Sequence, residues 1–251
     1  MARRVAGSLL LALGALLVAS LIGTAAARAT VNHNDFVGTS VTFQDVSETT
    51  QPDAPPDPEP LYGPPTIAGN QLTFTPTGFI ATATGGASDL ISSILTTRIV
   101  GNSPTDTIDV IIIEELGGVT LIASGGAGTN ASASIGGFVT VLATTSGPVL
   151  PFPTVIPFSG IFSPADTFSL PGDVGTQLWS GTAVIDIAAV VPNATDVLLQ
   201  YDDTLDANSE ASSTATIEKT DVTITVVPEP SVALLFGSGL ALIALARRQR
   251  R

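Results

Sequence analysis

Residues Ser213–Val227 read STATIEKTDVTITVV, and the second half of this stretch contains the clearest strand pattern in the chain. Val222, Ile224 and Val226 alternate with threonines, so one face of the segment is apolar and the other is polar. A repeat of two residues is the period of a β-strand, and β-branched residues favour strands over helices. The stretch therefore predicts a half-buried strand.

Similar segments recur between Thr30 and Val226. Short runs of β-branched and aromatic residues are separated by Gly, Pro, Asn and Asp, which is typical of an all-β protein. Many short strands with turns between them predict one antiparallel β-sandwich domain, jelly-roll-like, over residues 30–226. The other candidate strands are Ser40–Val46, Gln71–Thr75, Phe79–Thr84, Thr107–Leu116, Val119–Ala123, Phe138–Thr144, Gln177–Val191 and Asp196–Tyr201.

Two segments do not follow the strand pattern. Asp89–Val100 is ambiguous, because its leucines and isoleucines at 90, 91, 94 and 95 have the spacing of one or two helical turns. Pro52–Pro65, PDAPPDPEPLYGPP, predicts an extended, polyproline-like loop, since proline donates no backbone hydrogen bond.

The charge distribution separates the predicted domain from the two ends. The 251-residue chain has a net charge of −13. Residues 30–226 contain 21 of its 22 acidic residues but only two of its nine lysines and arginines, so this part alone has a net charge of −19. A domain this acidic repels phosphates, which argues against nucleic acid as a partner. The chain has no cysteine, so disulfides, thiol catalysis and cysteine metal sites are excluded.

The N-terminus, MARRVAGSLLLALGALLVASLIGTAAARA, has the three parts of a secretory signal peptide. Arg3 and Arg4 precede a long apolar run, and Ala27 and Ala29 form a small-x-small cleavage site. We expect residues 1–29 to direct export through the Sec machinery and to be removed after Ala29. An uncleaved membrane anchor is the alternative.

The C-terminus combines a short apolar segment with a basic tail. Ser231–Ala246 is 16 residues long, which as a helix spans about 24 Å, and flanking residues can adapt a helix this short to a bilayer. This predicts a transmembrane helix whose far end the positive-inside rule would hold in the cytoplasm. The arginines that stop it at the membrane are Arg247, Arg248, Arg250 and Arg251.

Pro228-Glu229-Pro230 lies immediately before this segment. Each proline disfavours a helical conformation at the preceding residue and donates no backbone hydrogen bond, so the tripeptide should be extended and exposed. An extended peptide at the membrane surface is what a protease active site binds, and Glu229 adds one fixed charge for recognition.

Residues 227–251, VPEPSVALLFGSGLALIALARRQRR, resemble a PEP-CTERM sorting signal: a Pro-Glu-Pro motif, a short transmembrane helix and an arginine cluster, in that order. The resemblance implies that Val227, Pro228, Glu229 and Pro230 are recognised by an exosortase-like membrane protease. It also implies transient anchoring in the inner membrane of a Gram-negative-type bacterium that makes exopolysaccharide, then a place at the cell surface or in the extracellular matrix. An ordinary C-terminal anchor is the alternative.

Few residues suggest catalysis. His33, the only histidine, follows the predicted cleavage site closely and is expected at the surface, which argues against a Ser-His-Asp triad. Glu114 and Glu115 are adjacent, so on a strand their side chains point to opposite faces and cannot act as a pair. The single tryptophan, Trp179, is expected in the core, although an exposed one could stack on a sugar ring.

One acidic segment, Tyr201–Ser212, contains a set of hard oxygen ligands of the kind that calcium prefers. Its spacing does not match an EF-hand, because Ala207 stands where that motif needs glycine. We favour a solvated loop between two strands and keep a calcium site as the second interpretation; no other cofactor is expected. The candidate ligands are Asp202, Asp203, Asp206, Asn208 and Glu210.

Together these features predict a non-enzymatic exported protein with a structural or adhesive role linked to exopolysaccharide. A polysaccharide-binding module, with or without calcium, is the alternative, and a secreted hydrolase is the weakest of the three hypotheses.

Overall fold

A computed structural model describes residues 30–50, 60–123, 128–149 and 152–228, which form β-strands and no helix. The strands are β1 Thr30–Val37, β2 Val41–Thr50, β3 Thr66–Ala68, β4 Gln71–Phe74, β5 Ile80–Thr84, β6 Ser88–Gly101, β7 Val110–Ala123, β8 Asn130–Thr144, β9 Gly147–Pro148, β10 Thr154–Ser159, β11 Ile161–Ser163, β12 Thr167–Ser169, β13 Gly175–Asp186, β14 Ala194–Asn208 and β15 Ser213–Val227. The predicted all-β fold is confirmed.

The strands form two antiparallel sheets. Sheet A has the order β1-β2-β6-β14-β8-β10, with β9 and β12 also paired to β8. Sheet B has the order β11-β13-β7-β15-β4-β3, with β5 also paired to β15. The longest strands, including β14 and β15, occupy central positions, where both edges of each strand are paired.

The inner faces of the two sheets share one hydrophobic core, so they pack as the layers of a β-sandwich. In each long strand, buried and exposed residues alternate, as the two-residue period requires. Sheet A contributes Phe43, Leu95 and Leu199, for example, and sheet B contributes Phe74 and Ile113. The sequence signal that predicted strands is thus the pattern that builds the core.

The strand prediction for Ser213–Val227 is confirmed to the residue, and Asp89–Val100 proves to be strand β6. Its helical spacing arises because a central strand has apolar residues on both faces. Ile91 and Leu95 point into the core, whereas Ile94 points outward into a surface groove. Pairing with β2 and β14 fixes the extended conformation whatever the local spacing.

Two predicted strands, Thr107–Leu116 and Val119–Ala123, are one strand, β7. The glycines between them, Gly117 and Gly118, do not form a turn. A Cβ at Gly117 would lie 2.3 Å from ring atoms of Trp179, so this glycine makes room for the indole rather than ending the strand.

Several predictions lie outside the described residues. These are the signal peptide at 1–29 with Ala27 and Ala29, most of the proline-rich loop, and everything from Glu229 onward. The end of that loop is described, and there Leu61 and Tyr62 turn into the core. Within the described part of the chain, no helix is long and apolar enough to span a bilayer.

Candidate functional site

A cluster of charged side chains lies in the core between the two sheets. Lys219 of β15 contacts Asp203 of β14 through its Nζ and the carboxylate Oδ2, and its Nζ lies 2.6 Å from Oε1 of Glu115 on β7. None of the three residues is more than 1% exposed. Burial of unpaired charges costs several kcal/mol, so the cluster exists because its members compensate one another.

Strand phase explains why these residues point inward. In β14, Asp203 takes the same face as Tyr201 and Leu205; in β7, Glu115 takes the same face as Ile113. In β15 the pairing register shifts between Lys219 and Asp221, and this irregularity changes which residues face the core.

Aromatic side chains enclose the cluster. The hydroxyl groups of Tyr62 and Tyr201 each donate a hydrogen bond of 3.1 Å to Oδ2 of Asp203. The Lys219 Nζ lies 4.9 Å from the ring centroid of Phe79 and 5.9 Å from that of Trp179, within the range of cation–π attraction. The carboxylate oxygen thus receives three donors in a site lined by rings.

A third buried carboxyl group, outside the cluster, positions one of those rings. Glu48 of β2 accepts hydrogen bonds from the backbone N–H of Leu61, at 2.5 Å, and of Tyr62, at 3.3 Å. These bonds fix the last part of the proline-rich loop, and with it the phenol that reaches Asp203. The Glu48 Oε2 also lies 3.6 Å from Nε2 of His33.

His33 is not a surface residue, contrary to the prediction. Its side chain is only 6% exposed, because β1 pairs with β2 at the edge of sheet A and its ring packs edge-on against Phe74 at 6.2 Å. Burial lowers the pKa of His33 below its ordinary value. Trp179, at 2% exposure, occupies the core as expected.

Burial also changes the protonation preferences of the charged cluster. It lowers the pKa of the Lys219 ammonium to about 8, although the neighbouring Glu115 opposes that shift. It raises the pKa of Glu115, although Lys219 opposes that shift in turn. Both directions favour the uncharged forms, a neutral amine and a protonated carboxyl group.

The cluster keeps unused hydrogen-bonding capacity. Among the described residues, Oδ1 of Asp203 and Oε2 of Glu115 are buried and have no hydrogen-bond partner. Such buried unpaired oxygens are uncommon in folded proteins, because each costs about 1–3 kcal/mol.

A groove of about 450 Å³ lies on the outer face of sheet A. Ile94, Asp202 and Gly136 lie side by side across β6, β14 and β8, and Gln200 pairs with Phe138 in the next row. Gly136 leaves a gap in this surface, since a Cβ built there would meet nothing nearer than a carbonyl oxygen at 3.7 Å.

The groove presents both an aromatic ring and free polar groups. Phe138 is 50% exposed, so its ring is accessible from the groove. Gln200 and Asp202 are exposed beside it, and neither side chain has a hydrogen-bond partner among the described residues. The arrangement can stack against one flat apolar surface and hydrogen-bond to polar groups along its edge.

The five candidate calcium ligands do not converge. They belong to strand β14 and the turn after it, not to a loop, so alternate residues point to opposite faces. Asp202, Asp206 and Asn208 lie on the outer face of sheet A, whereas Asp203 lies in the core. No group of three potential metal ligands forms within the described ranges.

The outer members of this set make local contacts instead. Asn208 donates from Nδ2 to Oδ2 of Asp206 at 2.9 Å and to Oδ1 of Asn130 at 3.2 Å. Glu210 accepts a hydrogen bond of 3.0 Å from the backbone N–H of Gly128. The polar side chains therefore connect β14 to β8 and to the turn before it.

Two of the four recognition residues predicted for the sorting signal are described. Val227 ends β15 and is 38% exposed, and Pro228 follows it outside the strand. The proline cannot extend the strand pairing, as expected. Glu229, Pro230 and the basic residues Arg247, Arg248, Arg250 and Arg251 lie outside the described residues.

No protein-family model matches the chain, and no curated protein matches its sequence. Among solved structures, it is similar to the enzymatically active domain of tailspike protein 4 from bacteriophage CBA120. The two are 13% identical with a TM-score of 0.20, and the match covers 81% of this chain but only 20% of that one. It is also similar to the family 11 xylanase from Neocallimastix patriciarum, with 8% identity and a TM-score of 0.21, over 80% of this chain and 100% of that one.

A third similarity is to a family 30 carbohydrate binding module, with 12% identity and a TM-score of 0.23, over 79% of this chain and 99% of that one. TM-scores this low carry no argument about function, so the functional proposal depends on the site itself.

Proposed function

We propose that the chain is a non-enzymatic exported protein that binds a polysaccharide in the outer groove of sheet A and so serves a structural or adhesive role in an exopolysaccharide layer. The observation that supports this most directly is the exposed ring of Phe138 beside the unpartnered polar side chains of Gln200 and Asp202. Sugar rings have an apolar face and a rim of hydroxyl groups, and the groove offers a surface for each.

The charge of the protein narrows the ligand class. Residues 30–226 have a net charge of −19, and Asp202 adds a negative charge within the groove itself. An anionic polysaccharide would be repelled at low ionic strength. A neutral polysaccharide is therefore the proposed ligand, with its hydroxyl groups donating to the Asp202 carboxylate.

Binding fits the groove better than hydrolysis does. Glycoside hydrolases use two carboxyl groups on either side of the scissile bond. Among the described residues that line the groove, Asp202 supplies the one carboxylate, and Glu115 lies in the core between the sheets. A protein that binds the chain without cleaving it needs no second acid.

We also propose that the sandwich has a jelly-roll-like topology. The chain alternates between the sheets at most connections after β5, so that β6, β8 and β14 come from separate parts of the sequence yet lie side by side in sheet A. This topology supports a continuous face on which an extended ligand can lie.

A glycan array tests the binding proposal. Full-length protein should bind one or more neutral polysaccharides, and Phe138→Ala should lower the affinity at least tenfold, because the stacking surface is lost. Phe152→Ala is the matched control, since Phe152 is 81% exposed and lies outside the groove. Equal loss in both variants, or no neutral glycan bound, contradicts the proposal; repeating the array with chelator shows whether calcium contributes.

We also propose that residues 227–251 sort the protein to the cell surface through an exosortase-like enzyme. Replacing Pro228-Glu229-Pro230 with three alanines should leave the protein uncleaved in the inner membrane. The mass of the protein recovered from cells reports this directly. A variant that is processed and released like the parent chain would refute the sorting proposal.

A further inference from the structure

The chain's only lysine, a carboxylate and a second carboxyl group meet in the core. Lys219 Nζ contacts Asp203 and lies 2.6 Å from Glu115, and each residue is at most 1% exposed. An external substrate cannot reach groups buried this deeply. Any chemistry of the cluster must therefore join its own members.

We propose that Lys219 and Asp203 condense to an intramolecular amide, an isopeptide bond, with Glu115 transferring the protons. The mature protein then contains a covalent link between β15 of sheet B and β14 of sheet A. This modification is independent of the groove on the outer face of sheet A.

The reaction balances without any further reactant. The neutral amine attacks the carboxyl carbon of Asp203, a bond forms between Nζ and Cγ, and one Cγ–Oδ bond breaks. Of the three protons of the ammonium group, one stays on the amide nitrogen and two leave with the oxygen as water. Glu115 carries these two protons one after the other from the nitrogen to the leaving oxygen, so it ends unchanged.

The environment favours each part of this step. Burial lowers the pKa of Lys219 to about 8, so part of the amine is free to act as a nucleophile near neutral pH. Burial raises the pKa of Glu115, which makes it able to hold and donate a proton. The phenols of Tyr62 and Tyr201 both donate to Oδ2, where negative charge develops when the carbon becomes tetrahedral.

Condensation also lowers the number of charges in the core. An ammonium group and a carboxylate in the interior are costly to bury, and the amide removes both together. Glu115 then has no countercharge, and burial, which raises its pKa, favours its protonated, neutral form.

The two amino acids are also held in place before reaction. Asp203 is on a strand paired on both sides, to β6 and β8, and Lys219 is next to β7 on the facing sheet. Fixed contact between reacting groups replaces a slow encounter in solution with an intramolecular step. The fold itself supplies the positioning that an external enzyme would provide.

Mass spectrometry of trypsin-digested, denatured full-length protein tests the proposal. Arg98 and Lys219 are the only trypsin sites between Thr30 and Val226. Without the bond, trypsin releases Ile99–Lys219 and a peptide that begins at Thr220. With the bond, the Lys219 site is blocked, and a single peptide beginning at Ile99 continues past Thr220 with the mass of one water missing. Complete cleavage after Lys219 at full mass overturns the proposal.

Variants assign the missing water to these residues. Asp203→Ala should keep its full mass, and a water loss that persists in this variant would place the dehydration elsewhere and overturn the proposal. Asp203→Asn should lose ammonia instead of water and reach the same final mass as the parent protein. A water loss from Asp203→Asn would contradict the assignment.

Adjacent glutamates provide a matched control for the proton-transfer role. Glu115→Gln should leave most of the protein unlinked, whereas Glu114→Gln, whose side chain points to the outer face of the same strand, should link as the parent does. Circular dichroism of both variants confirms that each is folded. Full linkage in a folded Glu115→Gln variant would remove Glu115 from the mechanism.

Discussion

The close approach of Trp179 to β7 gives a sharp stability prediction for Gly117→Ala. An ideal Cβ at Gly117 would lie 2.3 Å from two ring carbons of Trp179 and 2.2 Å from the carbonyl oxygen of Glu218. Carbon atoms in contact are normally about 3.5–4.0 Å apart, so the ring would have to move by more than about 1 Å. At 2% exposure the ring lies within the core, so it cannot move aside into solvent.

The cost follows from these two clashes. Overpacking a core typically costs about 1–3 kcal/mol. Displacing the backbone oxygen of Glu218 also weakens the pairing of β15 with β7, at about 1 kcal/mol per hydrogen bond lost. We expect a total of about 2–4 kcal/mol for Gly117→Ala.

Gly118→Ala is the matched control, one residue along the same strand. Its Cβ would meet first the Oε1 of Glu218, at 3.4 Å, which is the movable end of an exposed side chain. The free energy of unfolding should change by less than about 1 kcal/mol, since alanine also restricts the unfolded chain.

Thermal unfolding measures both variants. For a domain of this size, about 3 kcal/mol corresponds to a fall of about 6–12 °C in melting temperature. Gly117→Ala should show this fall and Gly118→Ala should not. Equal melting temperatures for the two variants would refute the packing argument.

Three further predictions concern other described contacts. Because burial lowers the pKa of His33, the unfolded chain binds a proton more readily than the folded one near pH 6.5. The free energy of unfolding should therefore fall as the pH drops below 6.5. Denaturant unfolding across that range should show a smaller fall for His33→Gln. Glu48→Ala leaves the backbone N–H of Tyr62 buried without its acceptor, which should lower the free energy of unfolding in urea by about 2–4 kcal/mol. Hydrogen exchange at that amide should also become faster. Unchanged exchange would contradict the anchoring role of Glu48. Arg98→Ala breaks an ion pair with Asp196 in which the arginine side chain is 47% exposed. The free energy of unfolding in urea should therefore change by no more than about 1 kcal/mol. A larger loss would show that the pair is stronger than its exposure implies.

The fold could be predicted from the sequence wherever one face of a strand is polar. Ser213–Val227 shows the alternation that a half-buried strand produces, and its limits in the structure are those predicted. β6 could not be predicted in this way, because it has apolar residues on both of its faces. It is paired on both sides, its inner face lies in the core, and its outer face borders the groove. The edge strand β1 has too many polar side chains to show a strand pattern in the sequence.

The buried charged cluster has a signal in the sequence. Val197, Leu199 and Tyr201 alternate along β14 and face the core. Asp203 is two residues after Tyr201, so it lies on the same face. A charged residue in phase with core residues indicates either a strand irregularity or a buried ionic site. For Lys219 the phase could not be predicted, because the register shift before Asp221 is set by the pairing of β15 with β7.

The site itself could be predicted only in part. The sequence indicated that Glu114 and Glu115 point to opposite faces, which the structure confirms. It could not indicate that Asp203 and Lys219 meet, since they are on different sheets, and contact between sheets depends on how the two layers are stacked. The groove was equally hidden, because its residues come from three strands that are far apart in the chain.

The central position of β15 determines how the molecule would respond to a pulling force. The described chain starts at β1 on the edge of sheet A and ends at β15 inside sheet B, so tension between its two ends must pass from one sheet to the other. A bond between Asp203 and Lys219 would carry that tension covalently and would shield the 15 residues between them from extension. At about 3.4 Å per residue, forced unfolding would then release about 50 Å less chain than the sequence allows.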